Sequence, residues 1–248
     1  MRHRSSRIRV FVLTGALFLS ASSIIYAETA EEYFNRGNAY VKQGNLPQAI
    51  SDYTRAIEIN PNYAEAYNNR GYNYYHKGNL DEAILDYTKA IEINPNYADA
   101  YLNRSNAYVN KGNVEEAILD CTRAIAINPN YAEAYLNRAS AYANKGNFDQ
   151  AILDYTKGIE INPNYVDAYY GRGLAYNYKD NLDQAILDYT KVIEINPNYA
   201  DAYLNRAVSY YARQEYDKAW ADVHKAEELG VVNPEFLTKL KEASGREK

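Results

Sequence analysis

An all-α solenoid assembled from helical hairpins is the fold this sequence predicts, and three observations carry the prediction. Asn-Pro-Asn-Tyr returns at Asn60, Asn94, Asn128, Asn162 and Asn196, a fixed step of 34 residues. Such a period marks a repeat array rather than a domain around one core. Within each period two stretches carry small and aromatic residues at spacings of three and four, the stripe of a helix packed on one face. Helix-stopping pairs stand between them, Gly-Asn in the middle and Asn-Pro at the end.

The first 27 residues lie outside the array. Arg2, Arg4, Arg7 and Arg9 precede an apolar run over 10–19, then serines and Ile24-Ile25-Tyr26-Ala27. This is the layout of a secretory signal with a cut after Ala27, and it predicts an exported chain, periplasmic or secreted. The alternative is an uncleaved anchor over 10–27, a span just long enough for a bilayer. Removing residues 1–27 leaves 23 bases against 32 acids, a net of −9, which argues against a nucleic-acid partner. Cys121 is the one cysteine, so no internal disulfide forms; its slot holds Tyr in four other copies, which points to packing.

The unit 64–97 shows how a hairpin is written. Tyr67, Gly71 and Tyr74 line the first helix, which Gly78-Asn79 ends; Ala83, Tyr87, Ala90 and Ile91 line the second, which stops at Asn94-Pro95. Small residues such as Gly71 and Ala83 let the two backbones approach, and tyrosines fill the adjoining gaps.

With these residues in place, the chain resembles the tetratricopeptide repeat (TPR) proteins. In the first unit the family pattern is met by Tyr33, Gly37, Tyr40, Ala49, Tyr53, Ala56 and Pro61. The resemblance covers 30–233 as six units: 30–63, 64–97, 98–131, 132–165, 166–199 and 200–233. It implies a right-handed superhelix whose first helices line a concave groove. The sixth unit departs from the pattern, with Gln214-Glu215 for Gly-Asn and Val223 for Tyr. Residues 234–248 read as a capping helix and tail, with Phe236, Leu237 and Leu240 turned toward the last unit.

Two further series repeat with the period. Arg36, Arg70, Arg104, Arg138, Arg172 and Arg206 fall on the buried stripe of the first helices, and Asp52, Asp86, Asp120, Asp154, Asp188 and Asp222 recur in the second. A guanidinium there needs a partner, and a carboxylate meets it with two parallel hydrogen bonds. Six Arg–Asp pairs, within or between units, are therefore expected; a row of arginines for an acidic ligand is the other reading. One residue earlier stand Asn35, Asn69, Asn103, Asn137 and Asn205, broken only by Gly171. A carboxamide donates and accepts, so such a ladder can hold the backbone of an extended peptide. Similar ladders line the grooves of the O-linked N-acetylglucosamine transferases. The other reading is a solvent-facing Asn copied by duplication.

The expected groove combines Asn35, Asn38, Asn69, Asn103, Asn106, Asn110, Asn137, Asn144 and Asn205 with aromatic Tyr72 and His76. Leu102, Leu136 and Tyr170, with Phe34 and Leu204, form an exposed apolar rail. Glu31, Glu65, Asp99, Glu133, Asp167 and Asp201 make the first turns acidic. They complement the helix dipole and favour a neutral or basic ligand. The carboxylate clamp of chaperone-binding TPR proteins matches at Asn38 and Asn69, but Phe34, Asp99 and Asn103 stand where it needs bases. No catalytic constellation, metal-ligand spacing or phosphate loop occurs, so neither an enzyme nor a cofactor is expected. The sequence thus predicts an interaction scaffold for a protein or peptide, with assembly of an envelope complex as one use, or alternatively a superhelix that stacks end to end with itself.

Overall fold

The computed structural model describes residues 28–245. Among them are thirteen helices and no strand: α1 (Ala30–Lys42), α2 (Leu46–Ile59), α3 (Ala64–His76), α4 (Leu80–Ile93), α5 (Ala98–Asn110), α6 (Val114–Ile127), α7 (Ala132–Asn144), α8 (Phe148–Ile161), α9 (Val166–Tyr178), α10 (Leu182–Ile195), α11 (Ala200–Ala212), α12 (Tyr216–Glu228) and α13 (Pro234–Ser244). The signal and anchor readings fall on residues 1–27, outside the described residues. No described helix is long and apolar enough to cross a membrane.

The turn chemistry repeats with the sequence. Thr29 opens α1 in a capping box with Glu32. Inside the first four hairpins Gly44, Gly78, Gly112 and Gly146 take positive φ, where a side chain would be strained. Asp180 and Gln214 occupy the same corner of the last two hairpins at φ 58° and 61°. Between hairpins, the first Asn of each Asn-Pro-Asn-Tyr accepts the backbone N–H two residues on through its side chain, as Asn94 does from Asn96 at 3.1 Å. The turn is thereby closed without the N–H that proline lacks.

Packing within a hairpin obeys a size rule. Tyr53 lies against Gly37, Tyr87 against Gly71 and Tyr189 against Gly173, so closely that an added Cβ would meet each ring at 2.7–3.0 Å. In the third hairpin the facing residue is Ser105, and the ring is replaced by Cys121, whose thiol donates to the Ser105 hydroxyl at 3.2 Å. In the sixth, Ala207 faces Val223 in one apolar cluster. The departures from Tyr at 121 and 223 are thus volume compensations.

Consecutive helices pack along the whole chain, and odd-numbered helices also touch the next odd one, α3 with α5 through to α9 with α11. The even-numbered helices stay further apart. The stack therefore bends toward the odd helices, which form its inner wall. At the C-terminal end α13 places Phe236 and Leu240 against Trp220 and Val223, and the Trp220 indole donates to Ser244 at 3.0 Å. End-to-end stacking at that face would require α13 to undock.

Candidate functional site

The inner wall is braced from behind by its arginines. Each of the six donates Nε and Nη2 to both carboxylate oxygens of the aspartate of its own hairpin at 2.7–2.9 Å. In five of them Nη1 also reaches back, at 2.9–3.0 Å, to a threonine of the preceding hairpin: Thr54, Thr88, Thr122, Thr156 or Thr190. Each threonine hydroxyl donates its own proton to the carbonyl four residues earlier, leaving lone pairs for the arginine. One guanidinium therefore joins two helices of its own hairpin to the hairpin before. Arg36, in the first of the described hairpins, takes Glu28 as its outer partner.

Burial pushes the Asp86, Asp120 and Asp188 carboxyls up against the pull of their arginines. Burial likewise opposes the charge on Arg70, Arg104, Arg172 and Arg206, yet the aspartates hold each guanidinium above its ordinary range. The five inner arginine side chains are 15–17% exposed and already bound, which leaves little for an acidic ligand. The threonines escaped the sequence reading, although their signal is there. Thr stands two residues after each Asp except in the sixth unit, where His224 takes the slot and no hairpin follows.

The asparagines bridge neighbouring odd helices. Asn69 donates to Asn38 Oδ1 at 3.1 Å, and Asn137 to Asn106 Oδ1 at 2.7 Å. Where the earlier position is Tyr72 or Leu174, the donor turns one turn back: Asn103 reaches Asn68 Oδ1 at 3.0 Å and Asn205 reaches the Tyr170 hydroxyl at 2.9 Å. Asn110 likewise donates to the Tyr75 hydroxyl at 2.8 Å. The carboxamides are therefore not a free solvent-facing row. Their N–H side is tied to the wall, while the Oδ1 atoms of Asn103 and Asn137 accept nothing among the described residues. Asn35 and Asn144 are exposed with no side-chain hydrogen bond.

The apolar rail is corrected by the structure. Leu102 is 2% exposed, packed with Cys121, Ala124 and Ala134, because its helix face turns into the joint between hairpins rather than into the groove. Leu136 and Tyr170 are half-buried for the same reason; Tyr170 rests on Tyr189 and Tyr199. Tyr72 and His76 do stand at the surface, edge to face with ring centroids 4.2 Å apart.

The two rims differ in charge. At one, Lys111, Lys145, Lys179 and Arg213 each pair with an acid of the preceding hairpin, namely Asp81, Glu115, Asp149 and Asp183. At the other, the carboxylates of Glu31, Glu65, Asp99, Glu133, Asp167 and Asp201 are exposed and enter no ion pair among the described residues. Tyrosines alternate with them; burial first, then the flanking carboxylates, pushes Tyr97 and Tyr165 up to about 12. Tyr131 donates to Asp99 at 2.7 Å.

Two cavities open between odd helices. One of about 450 Å³ lies between α1 and α3 over Tyr53, lined by Asn38, Asn69 and Tyr72. The other, about 570 Å³, lies between α7 and α9 over Tyr155, beside Gly171. Among the described residues no group of His, Cys, Asp and Glu is placed to hold a metal.

Comparison with known proteins agrees with this architecture. The family model described as TPR repeat matches residues 37–78, 71–112 and 105–146, and those described as tetratricopeptide repeat match 132–165, 166–199 and 188–221. No curated protein matches the chain. Among solved structures, MamA is 31% identical, with a TM-score of 0.63 over 70% of this chain and 95% of its own. YrrB, described as a TPR protein with an unusual peptide-binding site, is 26% identical with a TM-score of 0.63, covering 72% of this chain and 92% of its own. A TPR protein from Parabacteroides merdae is 25% identical with a TM-score of 0.70 over 87% of each chain. Arrays of this kind are in general scaffolds for protein–protein contact rather than catalysts. The repeat models run along most of the described residues on helix pairs already seen to pack in sequence, and the chain belongs to the tetratricopeptide repeat family.

Proposed function

We propose that the chain is a non-catalytic scaffold, exported by its N-terminal segment, that holds an extended, neutral-to-basic segment of a partner protein along its inner wall in an envelope complex. The observation that carries this reading is the orientation of the ladder. Asn103 and Asn137 are each anchored through one N–H, which leaves the Oδ1 acceptor of each available to a ligand. A peptide backbone supplies N–H donors at regular intervals, and a carboxamide row that is already fixed loses little side-chain entropy in binding it. The unpaired acidic rim adds preference for lysine and arginine over acidic side chains. Resemblance to a TPR protein with a peptide-binding site supports the same use.

The test is capture of partners from the exported fraction by the wild type and by an Asn69→Ala, Asn103→Ala, Asn137→Ala triple variant, with helical content followed by circular dichroism. Loss of at least one partner with helicity intact is expected. If every partner survives the triple change, the ladder does not bind. Recovery of the chain without residues 1–27 outside the cytoplasm checks export; retention inside overturns it.

A further inference from the structure

The joint between the fourth and fifth hairpins differs from every other. At the first, second, third and fifth joints a side-chain hydrogen bond spans neighbouring odd helices. At the fourth, Gly171 stands in the asparagine position and no such bond is made. The cause lies in the size rule. The fourth hairpin has Ala139 where the first, second and fifth have glycine, so Tyr155 cannot take the usual seat and leans over Gly171. A Cβ on Gly171 would meet the Tyr155 ring at 2.5 Å.

We infer that this joint is an anchor pocket for one uncharged aromatic side chain, Tyr or Trp, of the bound segment; this rests on the scaffold reading above. The cavity, about 570 Å³, falls within the ~300–1,000 Å³ of ligand pockets. One wall is flat: Phe148 and Tyr178 stack with centroids 4.8 Å apart and planes at 5°. The outer ring, Tyr178, is 73% exposed, an aromatic face left open for a third ring to stack on. The pair is particular to this joint, for the same two slots hold Leu46 with His76, Leu80 with Asn110, Val114 with Asn144 and Leu182 with Ala212 at the others. Leu174 also replaces the asparagine or serine of three other units. In a nearly uniform array these departures converge on one cavity.

Polarity sets the ligand class. The Ser140 and Tyr155 hydroxyls share one hydrogen bond at 3.2 Å, so the polar part of the lining is uncharged. Lys145 and Lys179, next in sequence to lining residues, are already paired with Glu115 and Asp149. Asn144 at the mouth is exposed and bonded to nothing, free to meet a phenol hydroxyl or an indole N–H.

Titration of the full chain with N-acetyl-tyrosine amide, N-acetyl-tryptophan amide and N-acetyl-leucine amide, read by backbone amide NMR, tests the pocket. The aromatic amides should shift Ala143, Gly146 and Leu174 saturably, at least about threefold tighter than the leucine amide. An Ala139→Gly, Gly171→Asn double variant gives Tyr155 its ordinary seat and fills the gap with a carboxamide, so the shifts should vanish. Tyr178→Ala, on a surface side chain, should weaken them with the fold untouched. Absent saturation, equal response to leucine, or unchanged binding in both variants overturns the pocket. The scaffold reading is separable: the filled double variant retains the asparagine ladder, so partner capture lost only in the ladder variant leaves the scaffold standing and the anchor refuted.

Discussion

The buried pairs permit a graded test inside one molecule. Arg104 and Asp120 side chains are 15% and 7% exposed and joined by two hydrogen bonds at 2.7 and 2.8 Å. Arg104→Ala strands a buried carboxylate, at a cost of about 3–5 kcal/mol. Asp120→Ala costs less, about 2–3 kcal/mol, because the guanidinium keeps Thr88 and the faces of Tyr101 and Tyr108 at 5.7 and 5.8 Å. Removing both deletes the charge and leaves chiefly lost packing, about 1–2 kcal/mol, so the coupling between them is at least about 3 kcal/mol. Arg36→Ala should cost only about 1–2 kcal/mol, since that side chain is 41% exposed and bridges to no earlier hairpin.

Urea unfolding followed by circular dichroism gives these losses. Hydrogen exchange in α5 and α6 localises them, because each hairpin touches only its neighbours. Simple additivity of the Arg104 and Asp120 losses, or an equal loss at Arg36, would refute the claim that burial and the cross-hairpin threonine give the pair its weight. Thr88→Val isolates the last element and should cost about 1 kcal/mol.

Four other outcomes are expected. Gly158 lies inside α8 where four other units carry alanine, and an added Cβ would meet nothing nearer than 3.5 Å; Gly158→Ala should stabilise by about 1 kcal/mol in urea unfolding. Gln214 holds φ 61°, so Gln214→Gly should raise stability by about 0.5–1 kcal/mol in the same assay. Burial, ahead of all other causes, pushes Tyr97, Tyr165 and Tyr170 up to about 12. The folded state thus favours the neutral phenol, and stability present below pH about 10 is lost as pH rises through about 12. Tyrosinate absorbance of these residues should appear together with loss of helicity; appearance with helicity intact contradicts this. Burial also pushes the Cys121 thiol up to about 11, so iodoacetamide at neutral pH should label it only after unfolding.

The hairpins were legible because their period, turn residues and helical stripes are all local properties of the chain. The Arg–Asp partners were legible in type, since a bidentate carboxylate is the ordinary answer to a buried guanidinium, and their constant separation of sixteen residues places both in one hairpin. Position on the wall was less legible. Leu102 and Asn103 are adjacent, and a single-helix wheel places both off the buried stripe. Yet α5 is gripped by its own α6, by α4 and by its odd-numbered neighbours α3 and α7, so the buried arc widens until it takes in Leu102. The same widening turns the carboxamide of Asn103 toward Asn68. Helix α5 has four neighbours, α3, α4, α6 and α7, and periodicity within one helix reports only one of them. Information about the others lies instead in comparing one slot across the units. Thr is lost at His224 where no hairpin follows, Cys121 accompanies Ser105, and Gly171 accompanies Ala139 with Tyr155. The last two exceptions are explained by a contact sixteen residues away, and the first by the lack of an arginine sixteen residues on. In an array this uniform, the exceptions are where the sequence reports its tertiary contacts.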